Sequence, residues 1–217
     1  MKIAVLGTGA VGRALSGRLA DLGHQVTVGT RDPAATGAVP EYAAWADTHP
    51  SVGLAAFSDA ASEAELVVNA TSGAVSLEVL RQAGAEHLAG KVLLDVSNPL
   101  DFSGGFPPTL SVSNTDSIGE QIQRAFPQAR VVKSLNTMNN SVMIDPGSLG
   151  ESTSVFLSGD DDLAKVVVRE LLGAFGHDDV IDLGDITTSR GVEMLLALWV
   201  RLMGPLGTAT FNFKVVR

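Results

Sequence analysis

Short runs of Val, Leu, Ile and Ala recur along the chain, and between them apolar residues fall at helical spacing. KIAVLG (Lys2 to Gly7) predicts a first strand, and Ala10 to Leu22 a helix ended by Gly23. QVTVG predicts a second strand, followed by a loop and a short helix around Tyr42 to Asp47. VGLAAF is a weak third strand ahead of a helix over Asp59 to Ala64, and ELVVNAT a fourth ahead of a helix over Val75 to Ala83. KVLLDVS is a fifth strand, Ser117 to Phe126 a helix and ARVVKSLNT a sixth strand. TSVFLSGD and DVIDLGD, on either side of a helix from Asp161 to Phe175, are the seventh and eighth.

Strands that alternate with helices so regularly, and that are apolar on both faces, predict parallel strands covered by helices on both sides. The expected architecture is α/β: a Rossmann-type, doubly wound parallel sheet over residues 1–150. Residues 151–217 form a small C-terminal extension of the same compact unit. The last segment, RGVEMLLALWVRLM (Arg190 to Met203), is apolar almost all round and is expected to break at Gly204-Pro205. A helix of that length spans ~21 Å, too short for a bilayer. Its pattern asks for burial on every side, as a core helix or in a homodimer interface anchored by Trp199 and Met203.

Composition narrows the possibilities. Hydrophobic residues make up 45% of the chain, enough for a sizeable core. The absence of cysteine removes disulfides, thiolate metal sites and thiol nucleophiles, which fits a cytoplasmic setting. A formal charge of −9 repels phosphate backbones, so nucleic acid is not an expected partner, and no apolar run reaches the ~20 residues that span a bilayer, so a membrane is not expected either. The start MKIAVLGTGAVG has the Lys-plus-apolar look of a signal peptide, but its glycines and Arg13 read better as strand, turn and helix.

That turn carries the first candidate chemistry. GTGAVG, residues Gly7, Thr8, Gly9, Ala10, Val11 and Gly12, follows an apolar strand and opens a helix. In that context GxGxxG predicts dinucleotide binding. Gly7 would serve the tight turn, Gly9 the approach of a pyrophosphate and Gly12 the contact between helix and sheet, with backbone N–H groups as donors. The alternative is an ordinary tight turn. The second strand then ends in Thr30 and Arg31, where an NAD site would offer a carboxylate to the ribose. A hydroxyl and a guanidinium suit a 2′-phosphate instead, and so predict NADP. The alternative is a solvated surface arginine.

Small or polar residues close the later strands: Ala70, Thr71 and Ser72 after the fourth, Ser97, Asn98 and Pro99 after the fifth, Asn136, Thr137 and Met138 after the sixth. In open α/β sheets ligands bind at these carboxyl ends, although each stretch also suits a plain turn. No acid or base stands out. His24, His49, His87 and His177 fall in turns or loops and read as surface residues, no metal spacing is present, and Lys133 reads as a structural or anion-pairing cation as readily as a site residue. Transfer of a hydride to an isoalloxazine-like ring needs no protein acid, only two flat rings held in register, a task that would fall to Asn136, Thr137 and Met138.

The stretches GTGAVG, LGHQVTVGTRD, VVKSLNT, SGDDDLAKVV and DLGDITTSRGVE resemble the NADP-dependent oxidoreductases of coenzyme F420, over almost the whole chain. The resemblance implies a 2′-phosphate held by Thr8, Thr30 and Arg31, nicotinamide contacts near Ala70 to Ser72 and Asn98 to Pro99, a deazaflavin over that ring, and a homodimer built with the C-terminal helices. One position departs from the pattern: founding members carry His followed by Thr at the end of the sixth strand, and here the residue is Asn136. The Asn-Thr version resembles the reductase domain of the six-transmembrane metalloreductases, which implies a flavin (FAD or FMN) as the other ring to consider. The Gly104 to Pro108 insert is either a lid or a surface loop. Competing readings are a non-catalytic NADPH-binding, redox-sensing module and a small-molecule NADP-dependent dehydrogenase. The second lacks a substrate domain.

Overall fold

The computed structural model describes residues Met1–Arg217. The first half alternates strand and helix: β1 (Lys2–Leu6), α1 (Ala10–Asp21), β2 (Gln25–Thr30), α2 (Pro33–Gly37), α3 (Pro40–Thr48), β3 (Gly53–Ala56), α4 (Phe57–Glu63) and β4 (Leu66–Asn69). There follow α5 (Gly73–Ala83), α6 (Ala85–Leu88), β5 (Val92–Asp95), a two-rung hairpin of β6 (Leu100–Asp101) and β7 (Thr109–Leu110), α7 (Ile118–Ala125) and β8 (Arg130–Lys133). The chain closes with α8 (Asn140–Ile144), β9 (Ser154–Leu157), α9 (Asp162–Phe175), β10 (Asp179–Asp182) and α10 (Ser189–Leu206).

Six strands form one parallel sheet in the order β3-β2-β1-β4-β5-β8. Strand order reverses between β1 and β4, which opens a crevice at their carboxyl ends. Apolar side chains on both faces of β1, β4 and β5 feed two cores. One packs β1, β4 and β5 against α1 and α9 through Leu15, Leu19, Val168 and Leu172, and the other packs them against α4, α5 and α7 through Ala60, Leu80 and Ile122. The seventh and eighth strands do not extend this sheet: β9 and β10 pair with each other in parallel, tied to β8 by a single antiparallel bridge between Lys133 and Ser158.

Local chemistry sets the helix ends. Asp161 Oδ1 accepts from Ala164 N at 2.8 Å, and Ser117 Oγ accepts from Glu120 N at 3.2 Å, each cap worth ~1 kcal/mol. The region after β2 folds as two helices rather than a loop and one helix, because Pro33 and Pro40 each occupy a first turn, where a missing N–H costs nothing.

Three further expectations change. Helix α10 does not break at Gly204-Pro205 but runs to Leu206 and ends at left-handed Gly207, since a proline in the exposed last turn removes only one intrahelical bond. Nor is α10 buried all round. Leu196, Trp199 and Val200 pack on the chain's own C-terminal tail, with Trp199 stacked on Phe211 at 5.2 Å, so Trp199 is an internal anchor. Met194, Leu198 and Leu206 remain exposed. His177 is buried rather than a surface residue. Left-handed Gly176 turns the chain back at the end of α9, and the imidazole Nε2 lies 3.0 Å from the Met143 carbonyl.

No helix is long and apolar enough to cross a membrane.

Candidate active site

The crevice starts at the turn after β1. Gly7 adopts φ +121°, and a side chain there would also strike the Ala70 carbonyl. Gly12 lies so close to the Gly7 carbonyl that any Cβ would overlap it, so α1 rests directly on the turn. Gly9 differs: a Cβ there would meet nothing, and the space it leaves faces the first turn of α1. The N–H groups of that turn have no helical acceptor and carry the positive end of the helix dipole. The Thr8 carbonyl accepts from Arg13 Nη1 at 3.1 Å, and Arg13 also pairs with Glu41.

A cleft of about 310 Å³ opens from this point. Gly9, Ala10 and Val11 form one end, Ala70, Thr71 and Ser72 the β4 side, and Val96, Ser97 and Asn98 the β5 side, with Leu100 and Phe102 beyond. None of these side chains titrates. The cleft thus unites Gly9, Ala10 and Val11 after β1, Ala70, Thr71 and Ser72 after β4, and Ser97 and Asn98 after β5, and adds Val96, Leu100 and Phe102, which no motif marked.

Behind the lining lies a buried polar network. The Thr71 hydroxyl turns inward and donates to Asn69 Oδ1 at 2.6 Å, while Asn69 Nδ2 donates to Asp95 Oδ1 at 2.8 Å. Asp95 Oδ1 also accepts from Ser97 N at 3.1 Å. Lys133 is fully buried, and its ammonium reaches Asp95 Oδ2 at 2.8 Å, Glu193 Oε1 at 2.9 Å and the Ser97 carbonyl. Burial pulls the Lys133 pKa down, and the Asp95 and Glu193 carboxylates outweigh it, so the net displacement is upward. Glu193 in turn accepts from Ile118 N at 2.8 Å and Gly119 N at 3.0 Å, neutralising the start of α7. Lys133 is therefore an anion-pairing residue that grips the backbone of the cleft wall from behind.

Asn136, Thr137 and Met138 lie in this second layer, not in the lining: they are 2%, 2% and 4% exposed, and Met138 belongs to the core. Leu135, at φ +62°, swings the chain so that Asn136 faces Asn98. Asn136 Nδ2 donates to Asn98 Oδ1 at 2.9 Å and to the Val192 carbonyl at 3.1 Å. Its effect on a bound ring would pass through Asn98. Pro99 is buried beneath the same loop.

At the end of β2, Thr30 is nearly buried and shares a hydrogen bond of 2.7 Å with the Thr36 hydroxyl. Whichever of the two donates, the other keeps a proton for an outside acceptor. Arg31 is exposed, with no acidic partner. The Asp32 carboxylate caps α2, where its Oδ1 accepts from Ala35 N at 2.9 Å.

Comparison with known proteins finds relatives over most of the chain. The family described as NADP oxidoreductase, coenzyme F420-dependent, matches residues 2–99. An F420-dependent NADP reductase of Methanothermobacter marburgensis is 30% identical over 210 residues, which cover 93% of this chain and 92% of that protein. The rat metalloreductase STEAP3 is 30% identical over 200 residues, 89% of this chain, but the chain spans only 36% of that protein's length. A crystal structure from Arthrobacter sp. FB24, described as a candidate F420-dependent NADP-reductase, superposes over all of both chains with a TM-score of 0.98 and 64% identity.

Proposed function

This chain belongs to the coenzyme F420-dependent NADP oxidoreductases, and from that premise we propose that it transfers a hydride between NADP(H) and coenzyme F420. One observation carries the reading: a cleft at the switch point of the sheet runs from the free N–H groups of α1 to Asn98 without a titratable side chain. A carbonyl or imine acceptor would want a protein acid there, whereas a deazaflavin does not.

The residues fit the two groups. The gap beside Gly9 leaves room for a pyrophosphate against the first turn of α1, within reach of Ala10 and Val11. Thr30 and Arg31 would hold the 2′-phosphate, with Thr8 lining the approach. Ala70, Thr71 and Ser72 would keep one wall flat against the nicotinamide. The Ser97 hydroxyl, buried and without a partner in the chain, and the Asn98 amide would orient it from the other wall. When bound, the nicotinamide supplies the hydride, and the deazaflavin accepts it together with a proton from water. Residues 1–150 would then carry the nucleotide. Residues 151–217 would carry a homodimer contact through the exposed Met194, Leu198 and Leu206 face of α10, which Leu198→Glu should disrupt in light scattering.

The direct test mixes the protein with NADPH and oxidised coenzyme F420 and follows the deazaflavin's visible absorbance. Bleaching faster with NADPH than with NADH is the expected result. A flat trace would overturn the reading, and FMN and FAD in parallel assays would report a flavin acceptor instead.

A further inference from the structure

Of the eight phenylalanines in the chain, only Phe102 and Phe106 are exposed, at 58% and 72%, and both sit on the β6–β7 hairpin beside the cleft. Leu100, in β6, and Phe102, just past its end, both line the cleft. Asp101 Oδ1 accepts from Ser103 N at 2.8 Å. Gly105 N donates to the Phe102 carbonyl at 2.9 Å, and Ser111 N to the Pro99 carbonyl at 2.8 Å, so the backbone on both sides of Phe102 is bonded. An isolated exposed apolar residue is unremarkable, but an aromatic ring held by a bonded turn at the mouth of an uncharged cleft is a preformed platform.

We propose that Phe102 is the stacking wall of the acceptor site. The acceptor ring lies between the nicotinamide and the Phe102 ring, which makes Phe102 a specificity-determining residue for flat, conjugated acceptors. The inference rests on the hydride-transfer reading above and deepens it by naming what holds the second ring. Three observations converge. The walls at Ala70 to Ser72 and Ser97 to Asn98 carry small or polar side chains that suit the nicotinamide, and Phe102, beside Leu100, is the one aromatic ring in the lining. Aromatic rings stack on one another by dispersion and quadrupole, and gain little from an aliphatic substrate of the same size. The lining also offers no titratable acid, so the acceptor must delocalise the electron pair it receives and take its proton from water. In the balanced step NADPH becomes NADP⁺ as the ring gains a hydride from it and one proton from solvent.

The test is equilibrium binding. The full chain, loaded with NADP⁺, is titrated with oxidised coenzyme F420 and, separately, with FMN, and the ring's own fluorescence is followed. Wild type, Phe102→Ala and Phe102→Trp are compared. Phe102→Ala should raise the Kd of the ring roughly ten-fold, about 1.4 kcal/mol, while NADPH affinity and melting temperature stay as in wild type, because the side chain is mostly in water. Phe102→Trp should restore ring binding. Tighter binding of F420 than of FMN would identify a deazaflavin, and the reverse a flavin. Equal ring affinity in wild type and Phe102→Ala, or a parallel loss of NADPH binding, would overturn the role of Phe102. Ring binding that depends on Phe102 but comes without hydride transfer would sustain the platform and sink the reaction. No binding of either ring to wild type would sink both.

Discussion

Asn98 and Asn136 hold each other across the carboxyl ends of β5 and β8: Asn98 Nδ2 donates to the Asn136 carbonyl at 2.9 Å, and Asn136 Nδ2 donates to Asn98 Oδ1 at 2.9 Å. Asn136 also donates to Val192 in α10, so one buried amide joins the cleft wall, the sheet and the C-terminal helix. Asn136→Ala leaves the Val192 carbonyl and Asn98 Oδ1 without this donor, so Asn98 is held only by its bond to the main-chain carbonyl of residue 136. The expected loss is ~1–3 kcal/mol in urea denaturation, together with a roughly ten-fold rise in the Kd of NADPH. Stability lost without a change in NADPH binding would mean that Asn98 does not touch the nucleotide.

Lys133 gives a larger effect. Its ammonium uses all three protons, on Asp95, Glu193 and the Ser97 carbonyl. Lys133→Met leaves two buried carboxylates facing each other with no cation, a type of change that costs ~3–5 kcal/mol. Because the folded pKa lies above the ordinary 10.5, the stabilisation linked to this proton is complete below pH 10.5 and is lost as pH rises through the folded value. Urea midpoints at pH 7 and above 10.5 check both statements. A wild-type midpoint that is flat across the alkaline range would remove Lys133 as the source.

How much of this was legible in the chain follows from the range of the forces involved. The sheet strands and the GTGAVG turn were readable because apolar periodicity and glycine spacing are local. The Asn98–Asn136 pair, 38 residues apart, was not. Nor was Glu193, which reads as one polar residue in an apolar helix until α10 docks and brings it to Lys133. Phe102 carries no periodic signal, because it stands in the loop just past the two-residue β6. Asn136 was expected in the lining because the strand was read straight on, and left-handed Leu135 bends it away.

His177 misled for the same reason, and it yields a pH prediction. Burial lowers its pKa from 6.5, partly offset by the bond to the Met143 carbonyl and by the neighbouring Asp178. Nδ1 has no partner, so a second proton would sit on a buried, unpaired nitrogen. With the folded pKa depressed, the unfolded chain binds more protons below pH 6.5. Stability is therefore intact above 6.5 and falls as pH drops through the folded value. Denaturation midpoints from pH 7.5 to 5 should decline in wild type and decline less in His177→Gln. Identical slopes would assign the acid loss to other groups.

Arg31 is the residue we propose to set the choice between the two nucleotides. It is exposed and lacks an acidic partner, and the neighbouring Asp32 caps the start of α2 through Oδ1. A guanidinium in that position gains from a 2′-phosphate a charge-assisted contact of ~1.5–3 kcal/mol and gains nothing comparable from a ribose hydroxyl. Arg31→Ala should therefore weaken NADPH by roughly 10- to 100-fold in fluorescence titration and leave NADH nearly unchanged. Raising the salt concentration should narrow the gap between the two nucleotides in wild type and have little effect in the variant, because an exposed ion pair is screened. If both nucleotides weakened together, Arg31 would be contacting a part they share, such as the adenine, and the 2′-phosphate would have to be held by the Thr30–Thr36 hydroxyl pair alone.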